Sequence, residues 1–337
     1  MSPDEARIAW NRCRHDPARR VGHYESYFQR ANHPTRPLGW WIRYTIFSPE
    51  GRPGDAVGEL WAIWFDGEEG RITAAKSAVP LSACRFDRTC LDVQVGAARL
   101  NESSLRGEAA SAGHTIAWDL RYQGDAPPLL LLPERLYDGA FPKAKALVGT
   151  PNAAYSGTIT VDGEAHAIDG WVGSQNHNWG RRHTDRYAWG QVAGFDEAPD
   201  AFLECSTAQI KIGPLWSPRF TLVVLRIGGE EVAINSLARA ARARGEWSYF
   251  TDFRWTMRTR QGDAEIEAEI AAPRADFVGL TYANPPGGSK TCLNTKLADA
   301  RVVLRRAGRP ELRLHARRRA AFEILTDDAA HGVPVIA

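Results

Sequence analysis

The sequence predicts an all-β protein made of antiparallel hairpins, with few and short helices. Three observations carry this expectation. Apolar and polar residues alternate with a period of two along much of the chain, and Asx-Gly and Gly-Gly pairs interrupt these runs at hairpin spacing. No strand–glycine loop–helix unit appears; Gly287-Gly288-Ser289-Lys290 follows two prolines and reads as a turn, not a phosphate loop. The clearest alternation is 264–270, where Ile266, Ala268 and Ile270 oppose Glu265, Glu267 and Glu269. A helical period cannot fit that run.

In chain order, Ser2-Pro3-Asp4-Glu5 predicts a capped helix ending near His15, with Pro3 suited to its first position. Gly58 to Phe65, the turn Asp66-Gly67 and Arg71 to Val79 make a hairpin. Pro133 to Tyr137 suits a single helical turn, and Tyr155 to Val161 is a strand running into the turn Asp162-Gly163. Ala201 to Ile212 is a strand, residues 220–227 and 231–234 flank Gly228-Gly229, and Trp247, Tyr249, Phe253 and Trp255 alternate with polar positions. Val302 and Leu304 lead through Gly308 to Leu312 and Leu314. The 337 residues exceed one typical core. We expect two β-domains, 20–188 and 189–330. Each is long enough for a barrel of about eight strands or for a sandwich, and only a barrel naturally encloses a small ligand.

Composition excludes several classes. No apolar cluster, Leu129 to Leu132 included, approaches the length of a membrane span. Five cysteines form no CxxC pair, and the polar, basic start carries no secretion signature, so a reduced, cytoplasmic setting is expected. A net charge of +2 and the short run Arg317-Arg318-Arg319, without interleaved aromatics, argue against nucleic-acid binding. Metal binding would need a chance assembly of residues such as His166, His177 and Asp185, so no metal is expected. Cys205 reads as a buried structural thiol, and Cys292 has no neighbouring His to activate it. Arg43 reads as an ordinary surface or inter-domain salt bridge, with anchoring of a ligand carboxylate or phosphate as the functional alternative. Twelve Trp suit a barrel interior or a ligand cleft, each with one N–H to satisfy when buried.

The densest set of unusual side chains runs from Asp169 to Gly190. Gln175, His177 and Trp179 should share one face of an extended strand, and Asn176 and Asn178 the other. A following strand would bring Tyr187 and Trp189 alongside, making a wall of His177, Trp179, Tyr187 and Trp189. Such a wall could steady positive charge through its rings while His177, Asp169 or Asp185 manages a proton. The competing reading is a structural hydrogen-bond network at a bend.

Asn176-His177-Asn178-Trp179-Gly180, with Tyr187-Ala188-Trp189-Gly190 downstream, resembles the lipocalin-like superfamily of carotenoid 1,2-hydratases, tocopherol cyclases and AttH-like proteins. Gly39-Trp40-Trp41-Ile42-Arg43-Tyr44 is similar to that family's opening, and the resemblance spans about residues 20–330. It implies two tandem lipocalin-like (calycin) barrels. It also implies a cofactor-independent lyase or isomerase-like enzyme that protonates an alkene of a prenyl or terpenoid-like molecule, then hydrates or cyclises it. Asn176, Asn178, Trp179, Tyr187, Trp189, Trp171 and Trp41 are the expected ligand-facing residues. The expected partner is a hydrophobic small molecule, with transient membrane contact one route for its uptake; oligomeric state is left open. The family's usual motif carries Asp where this chain has Asn176, and an amide cannot donate a proton as a carboxylic acid does. Either another acid, Asp169 or Asp185, has taken over, or the protein is a non-catalytic carrier of a lipophile. A buried acid within hydrogen-bond reach of the cavity would separate the two.

Overall fold

In the computed structural model, which describes residues 2–249 and 252–336, two antiparallel sheets account for most of the chain. The first draws its strands from residues 23–180 and runs in the order 71–80, 57–66, 38–48, 23–32, 164–180, 144–161, 114–123, 104–111, 98–101, 92–95, 84–86. It curls until its flanks meet: Lys76 donates its backbone N–H to Ser111 Oγ and Ala110 donates to Ser77 Oγ, both at 2.9 Å. The second sheet uses residues 186–326 and wraps into a half-barrel. This is the tandem lipocalin-like arrangement expected from the motif.

The predicted hairpins form. Val57–Asp66 pairs with Arg71–Pro80 and Phe220–Ile227 with Glu230–Ile234. The strand from Tyr155 is longer than its alternation suggested, spanning Ala144–Val161, and it pairs with Glu164–Gly180. Asp162 and Gly163 join these two with positive φ at both positions, as a tight hairpin requires. Ile266 and Ile270 are fully buried, while the glutamates opposite them meet Arg254, Arg258 and Arg305 outside. Phe253 and Trp255 are buried as their alternation predicts; the Tyr249 side chain lies outside the described residues. The N-terminal helix, Pro3–Asn11, has a full capping box, with Ser2 and Glu5 bonding each other's backbone N–H. It stops short of His15 because residues 13–15 leave the helix to bind Glu25. None of the described helices is long and apolar enough to cross a membrane.

Three strands depart from simple alternation. His23–Asn32, Leu38–Ser48 and Val57–Asp66 are buried on both faces. One face fills the first barrel, where Trp40, Tyr44, Trp64 and Trp118 close the interior. The other face, with Phe28, Trp41, Trp61 and Ile63, packs on Trp189, Leu280, Tyr282 and Leu325 of the second sheet. Doubly buried strands read as unbroken apolar runs, which explains the Trp-Ala-Ile-Trp-Phe sequence of 61–65. Trp40, Trp64, Trp118 and Trp171 therefore fill the first barrel, while Trp41, Trp61 and Trp189 pack at the junction between the sheets.

Close strand approach depends on Gly173. A Cβ there would lie 1.7 Å from the Arg30 carbonyl oxygen and 2.6 Å from the Ala31 Cα. Gly173→Ala should force the central strand pair apart. A loss of roughly 3–5 kcal/mol in denaturant unfolding is the expected result; a variant as stable as the parent would contradict this close contact.

Candidate active site

Strand Glu164–Gly180 has two chemically different faces. Its pairing with His23–Asn32 sets His177 opposite Tyr27 and Asn176 opposite Phe28. On the face toward the N-terminal segment, Gln175 exchanges two amide hydrogen bonds with Asn11, at 2.9 and 3.2 Å. His177 contacts the Glu25 carboxylate through Nε2 at 2.8 Å and the Trp10 carbonyl through Nδ1 at 3.0 Å. Both partners are acceptors, so both bonds form together only when the ring carries two N–H groups. Its face stacks on Tyr27 at 4.3 Å. Glu25 also accepts from His23, from the backbone N–H groups of Arg14 and His15, and from Tyr27. Burial alone would raise this carboxyl, but hydrogen bonds and charge from His177 and His23 hold it well below the ordinary range.

The opposite face turns toward the second sheet. Asn176 and Asn178 line a cavity of about 340 Å³ between the sheets, together with Trp41, Tyr187 and Trp189. This lies within the usual size of small-molecule sites, roughly 300–1,000 Å³. The expected wall of four is thus divided between two compartments. His177 and Trp179 face away from the cavity, and Trp179 is occupied by Tyr137 and by the Arg14 guanidinium, 5.0 Å from its ring. The cause is the strand's period of two: Tyr187 and Trp189 approach the asparagine face, not the histidine face.

The other predicted residues lie elsewhere. Asp169 is exposed on the far part of the strand. Asp185 is buried but already paired with Arg182 and with the Lys211 backbone N–H. Trp171 belongs to the first barrel's core beside Trp64. His166 stacks on Trp64 at 4.4 Å, well separated in its contacts from His177 and Asp185. Among the described residues no group of three His, Cys, Asp or Glu is arranged to hold a metal ion.

An acid does reach the cavity, and it is Glu204. It sits on strand Phe202–Gln209, directly across from Gln191 on the neighbouring strand Arg186–Ala193. Trp189 Nε1 donates to its Oε1 at 2.7 Å and Gln191 Nε2 donates to its Oε2 at 2.8 Å. Burial pushes the carboxyl up from 4.5 to about 7, against these donors and the charge of Arg30, with the Glu323 charge adding to the rise. Gln191 is the hub of this arrangement. Its amide N–H₂ also reaches Asn176 Oδ1 at 2.8 Å, and its Oε1 accepts from Arg30 Nε at 2.8 Å and Ser174 Oγ at 2.6 Å.

Glu323 also lines the cavity, accepting from Asn294 at 2.9 Å and pairing with the fully buried Lys296 at 3.0 Å. Both glutamates interrupt apolar strands, Phe202-Leu203-Glu204-Cys205 and Ala321-Phe322-Glu323-Ile324. A lone carboxylate in such a run was the available signal, since burial of that group demands a partner or a raised pKa. Cys205 and Cys292 are buried beside them, with thiol pKa values raised well above normal, as inert structural thiols should be. Arg43 departs from the expected salt bridge: it is buried, lines the cavity and forms no ion pair with a described residue.

No protein-family model and no curated protein matches the sequence. Solved structures do match. A candidate AttH of Nitrosomonas europaea aligns over 90% of this chain and 92% of its own, with TM-score 0.55 and 15% identity. The overall fold is shared with this AttH candidate. Kievitone hydratase from Nectria haematococca aligns over 91% and 89% of the two chains, with TM-score 0.54 and 12% identity. CghA in complex with Sch210972 aligns over 91% and 89%, with TM-score 0.54 and 11% identity. The AttH-like fold thus extends across both sheets and the junction between them.

His177→Ala should destabilise the protein by roughly 3–5 kcal/mol in denaturant unfolding, because it strips a fully buried carboxylate of a hydrogen-bond partner at 2.8 Å. Asp169→Asn, on an exposed edge, should change stability by no more than about 0.5 kcal/mol. Glu204 gives a second test. Its folded pKa lies above its unfolded value, so the folded state binds the extra proton and stability falls as pH rises from 4.5 to about 7. Glu204→Gln removes this term. The stability difference between variant and parent should shift by roughly 3 kcal/mol across that window.

Proposed function

We propose that the protein is a hydratase or cyclase that protonates an alkene of a hydrophobic, prenyl-like small molecule, with Glu204 as the acid. The observation that carries this reading is a carboxyl titrating near 7, buried 2% exposed, in the wall of an aromatic cavity. A carboxylic acid near neutrality matches general-acid chemistry, whereas a passive carrier has no use for a costly buried proton donor. The similarity in fold to kievitone hydratase supports the same reaction class.

In the proposed reaction the Glu204 O–H proton passes to one alkene carbon and leaves a carbocation on the other. Trp189, Trp41 and Phe28 surround the space where that charge develops, and ring faces favour it. Water adds to the cation and its surplus proton returns to the Glu204 carboxylate, giving net hydration. If a hydroxyl of the same molecule adds instead, the product is a ring. Gln191 holds the carboxyl in place and ties it to Asn176, so the amide at 176 acts as a positioning residue. This route draws its proton from the chain itself and requires no cofactor.

The test is incubation of the full chain in D₂O with prenylated phenols, kievitone among them, followed by mass spectrometry. Hydration or cyclisation should leave one non-exchangeable deuterium on carbon. Turnover should fall above pH 7, and Glu204→Gln should lower kcat by at least about 100-fold. Undiminished deuterium transfer by that variant would remove Glu204 from its role.

A further inference from the structure

The cavity holds a cation that makes no ion-pair contact with a carboxylate of the described residues, although the charges of Glu59 and Glu323 reach it from a distance. Arg43 is 4% exposed, and a guanidinium stays protonated at any ordinary pH. Its neighbours are aromatic: its Cζ lies 4.7 Å from the Tyr282 ring centre and 5.9 Å from that of Trp41. The carboxylates that influence it are engaged elsewhere. Glu59 pairs with Lys76 at 2.8 Å and accepts from Trp61 at 3.1 Å, while Glu323 pairs with Lys296. Nearby His183 is neutral, pushed down to about 3 by burial and by the Arg43 charge, so it adds no compensating group. Arg43 Nε and Trp41 Nε1, two residues apart on the same strand face, are both buried donors with no acceptor among the described residues.

A buried, unpaired guanidinium is costly, and a fork of donors is well matched to a planar oxygen anion. We propose that the ligand of this cavity carries a carboxylate or equivalent oxygen anion, which Arg43 binds while the apolar body lies among the junction aromatics. This rests on the reading of the cavity as the substrate site and narrows the substrate to an amphipathic acid. Burial pushes the Glu204 carboxyl up to about 7, and below that pH the uncharged acid leaves room for such a ligand, which an ionised acid in the same small space would repel.

The proposal is tested with the full chain and a matched set of probes: farnesoic acid, its methyl ester and farnesol, titrated calorimetrically at pH 6, where Glu204 keeps its proton and the probe acid is ionised. The acid should bind about 10- to 100-fold more tightly than the ester or alcohol. Arg43→Gln should abolish that preference by bringing the acid down toward the ester and alcohol, and Arg43→Lys should retain part of it. The parent comparison alone decides the matter if Arg43→Gln does not fold. Equal binding of acid and alcohol by the parent, or a preference that survives Arg43→Gln, overturns the anchor even if Glu204-dependent turnover is found. An Arg43-dependent preference without turnover on any substrate leaves the anchor standing and removes the hydratase reading. Failure of all three probes to bind overturns both.

Discussion

The Glu25 carboxylate holds the candidate site in place from behind. It is fully buried, and it gathers donors from the N-terminal segment, from its own strand and from His177 on the neighbouring strand. A charge in that position can be kept only if every donor stays in register. The consequence reaches through the sheet. Once His177 is fixed toward Glu25, the period of two obliges Ser174, Asn176 and Asn178 to face the second sheet. There Ser174 and Asn176 meet Gln191, Asn178 meets Ser26 of the neighbouring first-sheet strand, and the two asparagines line the cavity. The most conspicuous residue of the motif therefore organises the site without entering it.

The cavity is also electrostatically uneven. One acid is pushed up to about 7 by burial, a second is matched by a buried ammonium, and one guanidinium has no ion-pair partner among the described residues. In a low-dielectric space each of these choices counts for more than it would in water. Lys296, although close to Trp41 and Trp189, is neutralised by Glu323, so those rings are not dominated by its charge.

Much of the architecture was legible in the sequence, and the reasons are local. The Glu265-to-Ile270 alternation, the Asp162-Gly163 turn and the Ser2–Glu5 cap each follow from a few adjacent residues. Even the opposite orientation of His177 and Asn176 was legible. What the strand pattern could not supply was which face looked toward Tyr187 and Trp189, because that depends on how two sheets meet. The acid was missed for the same reason. Glu204 and Glu323 are single carboxylates in apolar strands, and only the partner sheet shows that their faces border open space and not solid core. Arg43 looked like a surface cation because the sequence does not reveal that its strand is covered on both sides.

Gln191 serves two masters with one amide group: one hydrogen goes to position 176 and the other to position 204. Those positions lie on different strands yet are linked by a single side chain. An ionisable group could therefore be exchanged between them over evolutionary time without rebuilding the backbone. Seen this way, the asparagine of the motif stays tethered to a buried carboxyl on another sheet through one shared amide.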